Sequence, residues 1–198
     1  MKNRHIAALT GGICTGKSTI SKYFQKKFRF HIVDADKIGH EILRYPEVIH
    51  NISLEFGKEV VINGKIDRTA LGKIVFSNPP KLLKLNEITH PVLINKALEI
   101  LEKLNDKPVI FEAAVLIEAG WYRHFSKVIL TTCSPKIQLT RTMDRNNLSQ
   151  NEAQKRIDSQ ISDKTRIQHA DFIIDTSSGP RPIEGQLNRL AQTLLKEI

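Results

Sequence analysis

The chain has 198 residues and a formal net charge of +9, with 40% hydrophobic and 26% charged residues. These values exclude a disordered or low-complexity chain and favour one main globular domain with room for an insertion. The positive charge favours polyanionic partners and leaves open nucleic acids, anionic membranes and small substrates that carry several phosphates. The two cysteines are too few for a disulfide framework, and the sequence has neither an apolar signal segment nor a run of 18 apolar residues, so we expect a cytoplasmic protein.

A phosphate-binding loop pattern stands near the start of the chain. The sequence reads Gly, four residues and then Gly-Lys-Ser between Gly11 and Ser18. Apolar residues 6–9 predict a buried strand before the loop, and residues 18–27 predict an amphipathic helix after it. Glycines let the backbone close around phosphate oxygens, the lysine neutralises the outer phosphates, and the serine hydroxyl holds Mg²⁺. The pattern therefore predicts a nucleoside triphosphate site, and an incidental glycine-rich turn is the alternative.

Cys14 lies in the middle of this loop, where a further glycine would give the backbone more freedom. A cysteine is tolerated at such a position only if the residue needs no positive φ. Its thiol is either a small side chain that fills a slot or a reactive group close to a helix N-terminus.

Two carboxylates follow the second predicted strand, which covers residues 30–33. Asp34 and Asp36 would leave the carboxyl end of this strand, where open α/β sheets place their functional residues. Either carboxylate could accept a proton from an attacking hydroxyl or hold Mg²⁺ through water. The alternative is that one of them caps a helix starting near Lys37, and the residues alone leave both possibilities open.

Residues 37–106 show several amphipathic helical patterns and no strong strand, which predicts a helical insertion. Asp67 is the expected N-cap of a helix over residues 69–76. A long helix is expected over residues 78–104, and His90-Pro91 should interrupt and kink it. At such a kink His90 could reach a substrate, although a lone histidine is more often structural.

The alternation of strands and helices resumes after Pro108. The expected elements are strands at 109–113, 127–131 and 172–175, helices that open at Ser134-Pro135 and at the capping box 149–152, and a final helix over 183–198.

Basic and amide side chains mark the two helices that open at 134 and 149. Arg141 and Arg145 lie four residues apart on one face of the first helix, and the second is expected to carry Lys155, Arg156 and Gln160. The arginines could clamp phosphates from a closing lid, because a guanidinium binds phosphate in two places. The alternative is a solvated helix face.

The residues in this order resemble the dephospho-coenzyme A kinase family, and the resemblance covers nearly the whole chain. The matching residues are Leu9 to Ile13, Gly16 to Thr19, Asp34 to Asp36, Arg68, Leu71, Phe76, His90, Pro91, Leu139, Arg141, Arg145, Gln160, Arg166, Ala170, Asp171 and Ile174. The combination of Asp-Ala-Asp with a later His-Pro is its most distinctive part.

The resemblance implies an α/β fold of the P-loop NTPase type, with three layers, a five-stranded parallel sheet, a helical substrate-binding insertion and a helical lid. Residues 1–36 and 107–198 would form the nucleotide-binding core, residues 37–106 the insertion that binds dephospho-coenzyme A, and residues 138–166 the lid. The implied reaction is ATP-dependent phosphorylation of the ribose 3′-hydroxyl of dephospho-coenzyme A. The implied partners are these two small molecules, and neither a nucleic acid nor a membrane is expected. The protein would be a monomer or a weak homo-oligomer.

The resemblance also implies the residue roles. ATP would be bound by Gly11, Gly12, Ile13, Cys14, Thr15, Gly16, Lys17, Ser18, Thr19 and Arg141. Asp36 would be the base that takes the proton from the 3′-hydroxyl, Lys17 and Arg145 would balance charge on the transferring group, and Ser18 would hold Mg²⁺. Dephospho-coenzyme A would be bound by Asp34, Asp36, Arg68 and His90.

The chain departs from the family pattern in four places. The family usually has glycine at Cys14, and it often has Pro-Leu-Leu-Phe-Glu where this chain reads Ala-Val-Leu-Ile-Glu over residues 114–118. It also often has aspartate at Asn146 and an asparagine in the region of Thr176. None of these changes removes the loop lysine, the Mg²⁺ hydroxyl or the proposed base. They put turnover and affinity in question more than the class of reaction.

Two alternatives remain open at this point. Nucleoside and nucleoside-monophosphate kinases share the loop, a helical acceptor domain and an arginine-bearing lid, and only the acceptor distinguishes them. A basic nucleic-acid-binding or regulatory nucleotide-binding protein is compatible with the net charge of +9, but no helix concentrates the basic residues as such binding requires.

Overall fold

The computed structural model describes residues 6–104 and 107–196. The chain divides into two compact units, one formed by Met1–Val33 with Leu101–Ile198 and the other by Asp34–Ile100. The predicted ends of the insertion at 106 and of the last helix at 198 lie outside the described residues.

The described residues form an α/β fold. The strands are β1 (Ile6–Gly11), β2 (His31–Asp34), β3 (Val61–Ile62), β4 (Lys65–Ile66), β5 (Val109–Glu112), β6 (Lys127–Thr132) and β7 (Phe172–Asp175). The α-helices are α1 (Lys17–Phe28), α2 (Ala35–Ile42), α3 (Pro46–Phe56), α4 (Arg68–Phe76), α5 (Pro79–Glu102), α6 (Pro135–Asn146), α7 (Gln150–Asp158), α8 (Asp163–Ile167) and α9 (Pro180–Lys196).

The central sheet has five strands in the order β2-β5-β1-β6-β7. β1 pairs in parallel with β5 and β6, and β6 pairs in parallel with β7. All six residues of β1 are buried, as expected for a strand covered on both faces. Leu9 is opposite Glu112 and Gly11 is opposite Thr131, so these strands deliver their carboxyl ends to one edge of the sheet. The predicted five-stranded parallel sheet is confirmed.

Helices α1 and α9 share the core of the sheet-containing unit. Ile20 and Phe24 of α1 lie in one apolar cluster with Leu187 and Leu194 of α9. The ring of Phe24 also meets Phe30 edge to face at 5.2 Å. This packing fixes the axis of α1, and therefore the direction in which its first turn points.

The second unit has its own apolar core. Val48, Ile52 and Phe56 follow each other at four-residue spacing on α3, so they share one face, and they pack with Leu71 and Val75 of α4. This arrangement gives the segment a core that is separate from the cluster around α1 and α9.

The predicted helix caps have three different outcomes. Asp67 caps α4, because its carboxylate accepts bonds from the N–H groups of Thr69 and Ala70 at 2.9 and 3.1 Å. The capping box at Ser149 is confirmed, with both reciprocal bonds to Glu152 present. Ser134 precedes α6 as its N-cap residue but makes no capping bond with its side chain.

The predicted interruption at His90-Pro91 is wrong, because α5 continues from Pro79 to Glu102 with Pro91 inside it, whereas the kink expected there stays a prediction. Proline removes its own N–H from the helical ladder, and its ring crowds the carbonyl four residues earlier. Ile88 and Val92, on either side of Pro91, both pack against the core of the second unit. Their burial holds the two halves of the helix in place.

Three local details were not predicted. Val61 to Ile66 form a small hairpin, whose turn residues Asn63 and Gly64 have φ of 50° and 73°, as a type I′ turn requires. Helix α8 is an additional short helix. Gln160 was assigned to the helix that begins after Ser149, but α7 ends at Asp158.

Among the described residues, no helix is both long enough and apolar enough to cross a lipid bilayer.

Candidate active site

The phosphate loop connects the central strand to α1, as the pattern predicts. Gly11 packs so closely that an added Cβ would clash with the hydroxyl and carbonyl oxygens of Thr131. Thr15 ties the loop to the same strand, because its hydroxyl lies 2.8 Å from the Thr131 hydroxyl and donates to the carbonyl of Gly12 at 2.9 Å. The buried threonines therefore fix the loop against β6.

Thr176 and Arg141 hold the other side of the loop. The Thr176 hydroxyl donates to the carbonyl of Thr15 at 2.8 Å. Arg141, on α6, donates to the hydroxyl and the carbonyl of Thr176 at 2.9 and 2.8 Å. An added Cβ on Gly16 would lie 3.1 Å from the Thr176 methyl group, so glycine permits this close approach. The structure thus brings Arg141 to the loop through Thr176, in the region where the family pattern has an asparagine.

Cys14 does not meet the condition set by the sequence, because its φ is 57°. A side chain in this left-handed region costs about 1 to 2 kcal/mol relative to the right-handed helical conformation. The chain therefore carries backbone strain at a position where glycine would remove it.

Lys17 folds back over the loop, where its ammonium group donates to the carbonyls of Gly11 and Gly12 at 2.7 and 3.0 Å. Thr19 is exposed in the first turn of α1. Because α1 begins at Lys17, its positive dipole end meets the loop. The lysine and the helix end together provide the positive charge that bound phosphates require.

Glu112 is a site residue that sequence reasoning missed. Its carboxylate accepts bonds from the hydroxyls of Ser18 at 3.1 Å and Ser21 at 2.6 Å. Hydroxyl and carboxylate oxygens are hard donors of the kind that Mg²⁺ prefers, so this pair fits that ion. The signal was present in the sequence, since Glu112 directly follows apolar residues 109–111 just as Asp34 directly follows apolar residues 32–33.

Ile13 is held by two glutamines from the predicted lid. Its N–H donates to Gln160 Oε1 at 2.7 Å, and its carbonyl accepts from Gln138 Nε2 at 2.9 Å. Arg145 lies exposed one turn after Arg141 on α6, so the two arginines share a face as predicted.

In the second unit, Asp34 is the N-cap of α2. Its carboxylate accepts from the N–H groups of Asp36 and Lys37 at 2.9 and 3.3 Å. Asp36 is exposed in the first turn of the same helix, where it makes no capping bond. The sequence left open which carboxylate caps the helix. In the structure Asp34 is the cap, and the carboxylate of Asp36 faces solvent.

Arg68 also reaches α2. Its guanidinium donates to Nε2 of His40 at 2.8 Å, which requires that nitrogen to be unprotonated. His40 lies four residues after Asp36 and thus on the same face of α2. The structure therefore places Arg68 and Asp36 on one side of this helix.

His90 lies in the middle of α5 and is half-buried. Burial lowers the pKa of its imidazole below the ordinary value of 6.5, because the charged form loses hydration. The side chain is therefore a neutral group at pH 7.

Known kinases resemble this chain in sequence and in fold. The family model for dephospho-CoA kinase matches residues 5–181. A dephospho-CoA kinase from Fusobacterium nucleatum is 39% identical over 190 residues, which cover 96% of this chain and 98% of that protein. The solved dephospho-CoA kinase from Campylobacter jejuni is 31% identical with a TM-score of 0.73, and the match covers 99% of this chain and 98% of that one. A shikimate kinase from Bacteroides thetaiotaomicron, 16% identical with a TM-score of 0.56, shares the fold over 96% of this chain and 97% of its own.

Proposed function

The chain belongs to the dephospho-CoA kinase family, and from that premise we propose the roles that its residues have in the reaction. It is a kinase that uses ATP to phosphorylate the ribose 3′-hydroxyl of dephospho-coenzyme A, the final step of coenzyme A biosynthesis. The observation that carries the assignment of the donor site is the loop between β1 and α1, with Lys17 folded over it and Ser18 beside Glu112.

ATP binds in this loop, with Gly11 to Thr19 around its phosphates and Arg141 beside them. Ser18 and Glu112 hold Mg²⁺, which lowers the negative charge that an attacking oxygen meets. Lys17 leaves its present carbonyl partners and turns to the outer phosphates, because an ammonium group bonds more strongly to an anionic oxygen than to a carbonyl. The bonds of Lys17 to the loop carbonyls are therefore those of the loop before ATP binds.

The acceptor binds to the predicted insertion, residues 37–106, and to Asp34 and Asp36 just before it. Asp36 is the general base that takes the proton from the 3′-hydroxyl as the oxygen attacks the γ-phosphorus. Its exposure supports this role, because a base must be reachable by its substrate. Asp34 fixes the start of α2 and so positions Asp36, while Arg68 and His90 contact the rest of the acceptor.

Residues 138–166 act as the lid, and Arg145 neutralises charge on the transferring phosphoryl group. Arg141 is bonded to Thr176 and Gln160 to Ile13, so the part of the lid that we expect to move lies between these two anchored residues. We propose that Arg145, at the exposed end of α6, approaches the phosphates when the lid closes, and its exposure supports this role.

The reaction takes place in the cytoplasm, where ATP is supplied, and the enzyme acts as a monomer or weak homo-oligomer. Its partners are the two small substrates. Both carry phosphates, which the net charge of +9 attracts.

An ADP-release assay with ATP and Mg²⁺ tests the assignment. The assay compares dephospho-coenzyme A with adenosine, AMP and no acceptor, and a Lys17→Met variant is the control for contaminating kinases. We expect stimulation by dephospho-coenzyme A alone, with a product that carries a 3′-phosphate. Stimulation by adenosine or AMP would assign the chain to another class of phosphate-loop kinase.

A further inference from the structure

Both backbone groups of Ile13, in the phosphate loop, are bonded to glutamine side chains. No other loop residue in the described part of the chain has this arrangement. Its N–H donates to Oε1 of Gln160 at 2.7 Å, and its carbonyl accepts from Nε2 of Gln138 at 2.9 Å. The two amide orientations are fixed, because an N–H needs an oxygen acceptor and a carbonyl needs a nitrogen donor. Gln138 belongs to α6 and Gln160 follows α7, so two separate segments meet at one loop residue.

These two bonds determine how two successive peptide groups are turned. In a trans peptide the carbonyl and the N–H point in opposite directions. Since the Ile13 carbonyl points to Gln138, the N–H of Cys14 points away from it. Since the Ile13 N–H points to Gln160, the Gly12 carbonyl points the other way, and there it accepts from the Thr15 hydroxyl at 2.9 Å.

Glycine at position 12 permits this arrangement. A Cβ on Gly12 would lie 2.8 Å from Nε2 of Gln138 and 3.4 Å from Oε1 of Gln160. The two glutamines therefore occupy the space that a side chain at this position would need. Close approach of their amides to the loop backbone is a consequence of the glycine in the motif.

We infer that Gln138 and Gln160 are positioning residues, which turn the peptides on either side of Ile13 so that the N–H of Cys14 faces the phosphates of ATP. They also couple the loop to the lid, because both lie within residues 138–166. The inference rests on the proposed binding of ATP in this loop. Thr176 secures the loop at Thr15, so loss of the glutamine bonds loosens residues 12–14 alone.

Replacement of each glutamine by methionine tests the role, because methionine has a similar length and makes neither bond. We expect Gln138→Met and Gln160→Met each to raise the dissociation constant of ATP about three- to tenfold, as for one neutral hydrogen bond. The affinity for dephospho-coenzyme A should not change. Both constants are measured by titration calorimetry with one ligand at a time, so the result does not depend on turnover.

Gln186→Met is the matched control. Gln186, on α9, also donates to a backbone carbonyl, that of Ile173 at 2.9 Å, and it is distant in sequence from the loop. This variant should lose an exposed bond of the same kind and should bind ATP as the parent does. If the two lid variants also bind ATP as the parent does, whatever their unfolding midpoints, the glutamines are structural and the inference is wrong.

The pair Gln160→Glu and Gln138→Glu separates the hydrogen bond from the charge. A carboxylate at 160 can still accept from the Ile13 N–H, whereas a carboxylate at 138 has no donor for the Ile13 carbonyl. Both variants add one negative charge beside the same residue. We expect Gln138→Glu to weaken ATP binding at least about tenfold more than Gln160→Glu, and equal losses would overturn the inference.

The parent protein distinguishes this inference from the proposed function. If the parent binds ATP but transfers nothing to dephospho-coenzyme A, the proposed acceptor is wrong and the glutamine comparison still holds. If the parent transfers phosphate and the methionine variants bind ATP normally, only the inference fails.

Discussion

Asp34 and Asp36 are two residues apart, yet the structure predicts different kinds of effect for their replacement. Asp34 accepts two backbone bonds at the start of α2, at 2.9 and 3.3 Å, whereas Asp36 is exposed and caps nothing. Loss of the first side chain should therefore affect stability, and loss of the second should affect chemistry. The variants Asp34→Ala, Asp34→Asn and Asp36→Asn separate the two effects.

The expected magnitudes follow from these contacts. Asp34→Ala removes an N-cap, which costs about 0.5 to 2 kcal/mol of unfolding free energy, and Asp34→Asn keeps an equally good cap. Asp36→Asn should change the unfolding free energy by less than about 0.5 kcal/mol, because its exposed carboxylate has only a screened interaction with the helix dipole. The loss of a general base should lower kcat of Asp36→Asn about 10²- to 10⁴-fold with little change in KM for ATP.

Urea unfolding at pH 7 and the ADP-release assay with dephospho-coenzyme A measure the two quantities on the same preparations. Asp34→Asn is the internal control, since it should match the parent in stability. An Asp36→Asn variant that transfers phosphate at the parent rate would remove Asp36 from the role of base. An Asp34→Ala variant as stable as the parent would refute the capping argument.

Three further replacements have expected outcomes. Arg166 is 2% exposed and pairs with Glu118 and Asp163 at 3.1 and 3.0 Å. Because these carboxylates are partly exposed and can regain hydration, Arg166→Met should lower the unfolding free energy in urea by about 2 to 4 kcal/mol, and a loss below about 1 kcal/mol would contradict this. The pKa of His90 lies below its ordinary 6.5, so the unfolded chain binds the proton first and stability should fall as the pH is lowered from 6.5 through the folded-state value. His90→Gln should flatten that part of the stability curve, and an unchanged slope would count against it. Glu112→Gln should raise the Mg²⁺ concentration for half-maximal rate about tenfold or more, and an unchanged Mg²⁺ titration would exclude Glu112 from the ion site.

Local signals made most of the fold predictable. The strand, loop and helix around residues 6–28 are specified by an apolar run, glycines and an amphipathic pattern that all lie within a few residues of one another. Asp67 and the box at Ser149 are equally local, because a cap bonds to N–H groups two or three residues away. Such features need no knowledge of the distant chain.

Features that depend on distant residues were missed or wrongly predicted. Glu112 has the local signal of a carboxylate at a strand end, but its contact with Ser18, 94 positions away in sequence, depends on the pairing of β5 with β1. Pro91 was expected to interrupt α5 on local grounds, but burial of its neighbours against the core of the second unit outweighs the lost bond and the crowding by the proline ring. Gln160 was placed in a helix, whereas its actual contact is with Ile13, 147 positions away.

At Cys14 the free-energy cost of an unfavourable backbone conformation can be compared with the gain from hydrogen bonds to distant residues. The left-handed backbone of Cys14, with φ of 57°, costs about 1 to 2 kcal/mol. Each hydrogen bond to the adjacent residue Ile13 returns about 0.5 to 1.5 kcal/mol, so the two glutamine bonds are sufficient to offset the strain. A loop held in this way keeps its conformation without glycine at position 14. The residues of the motif thus define the chemistry of the site, while side chains more than 100 positions away determine its shape.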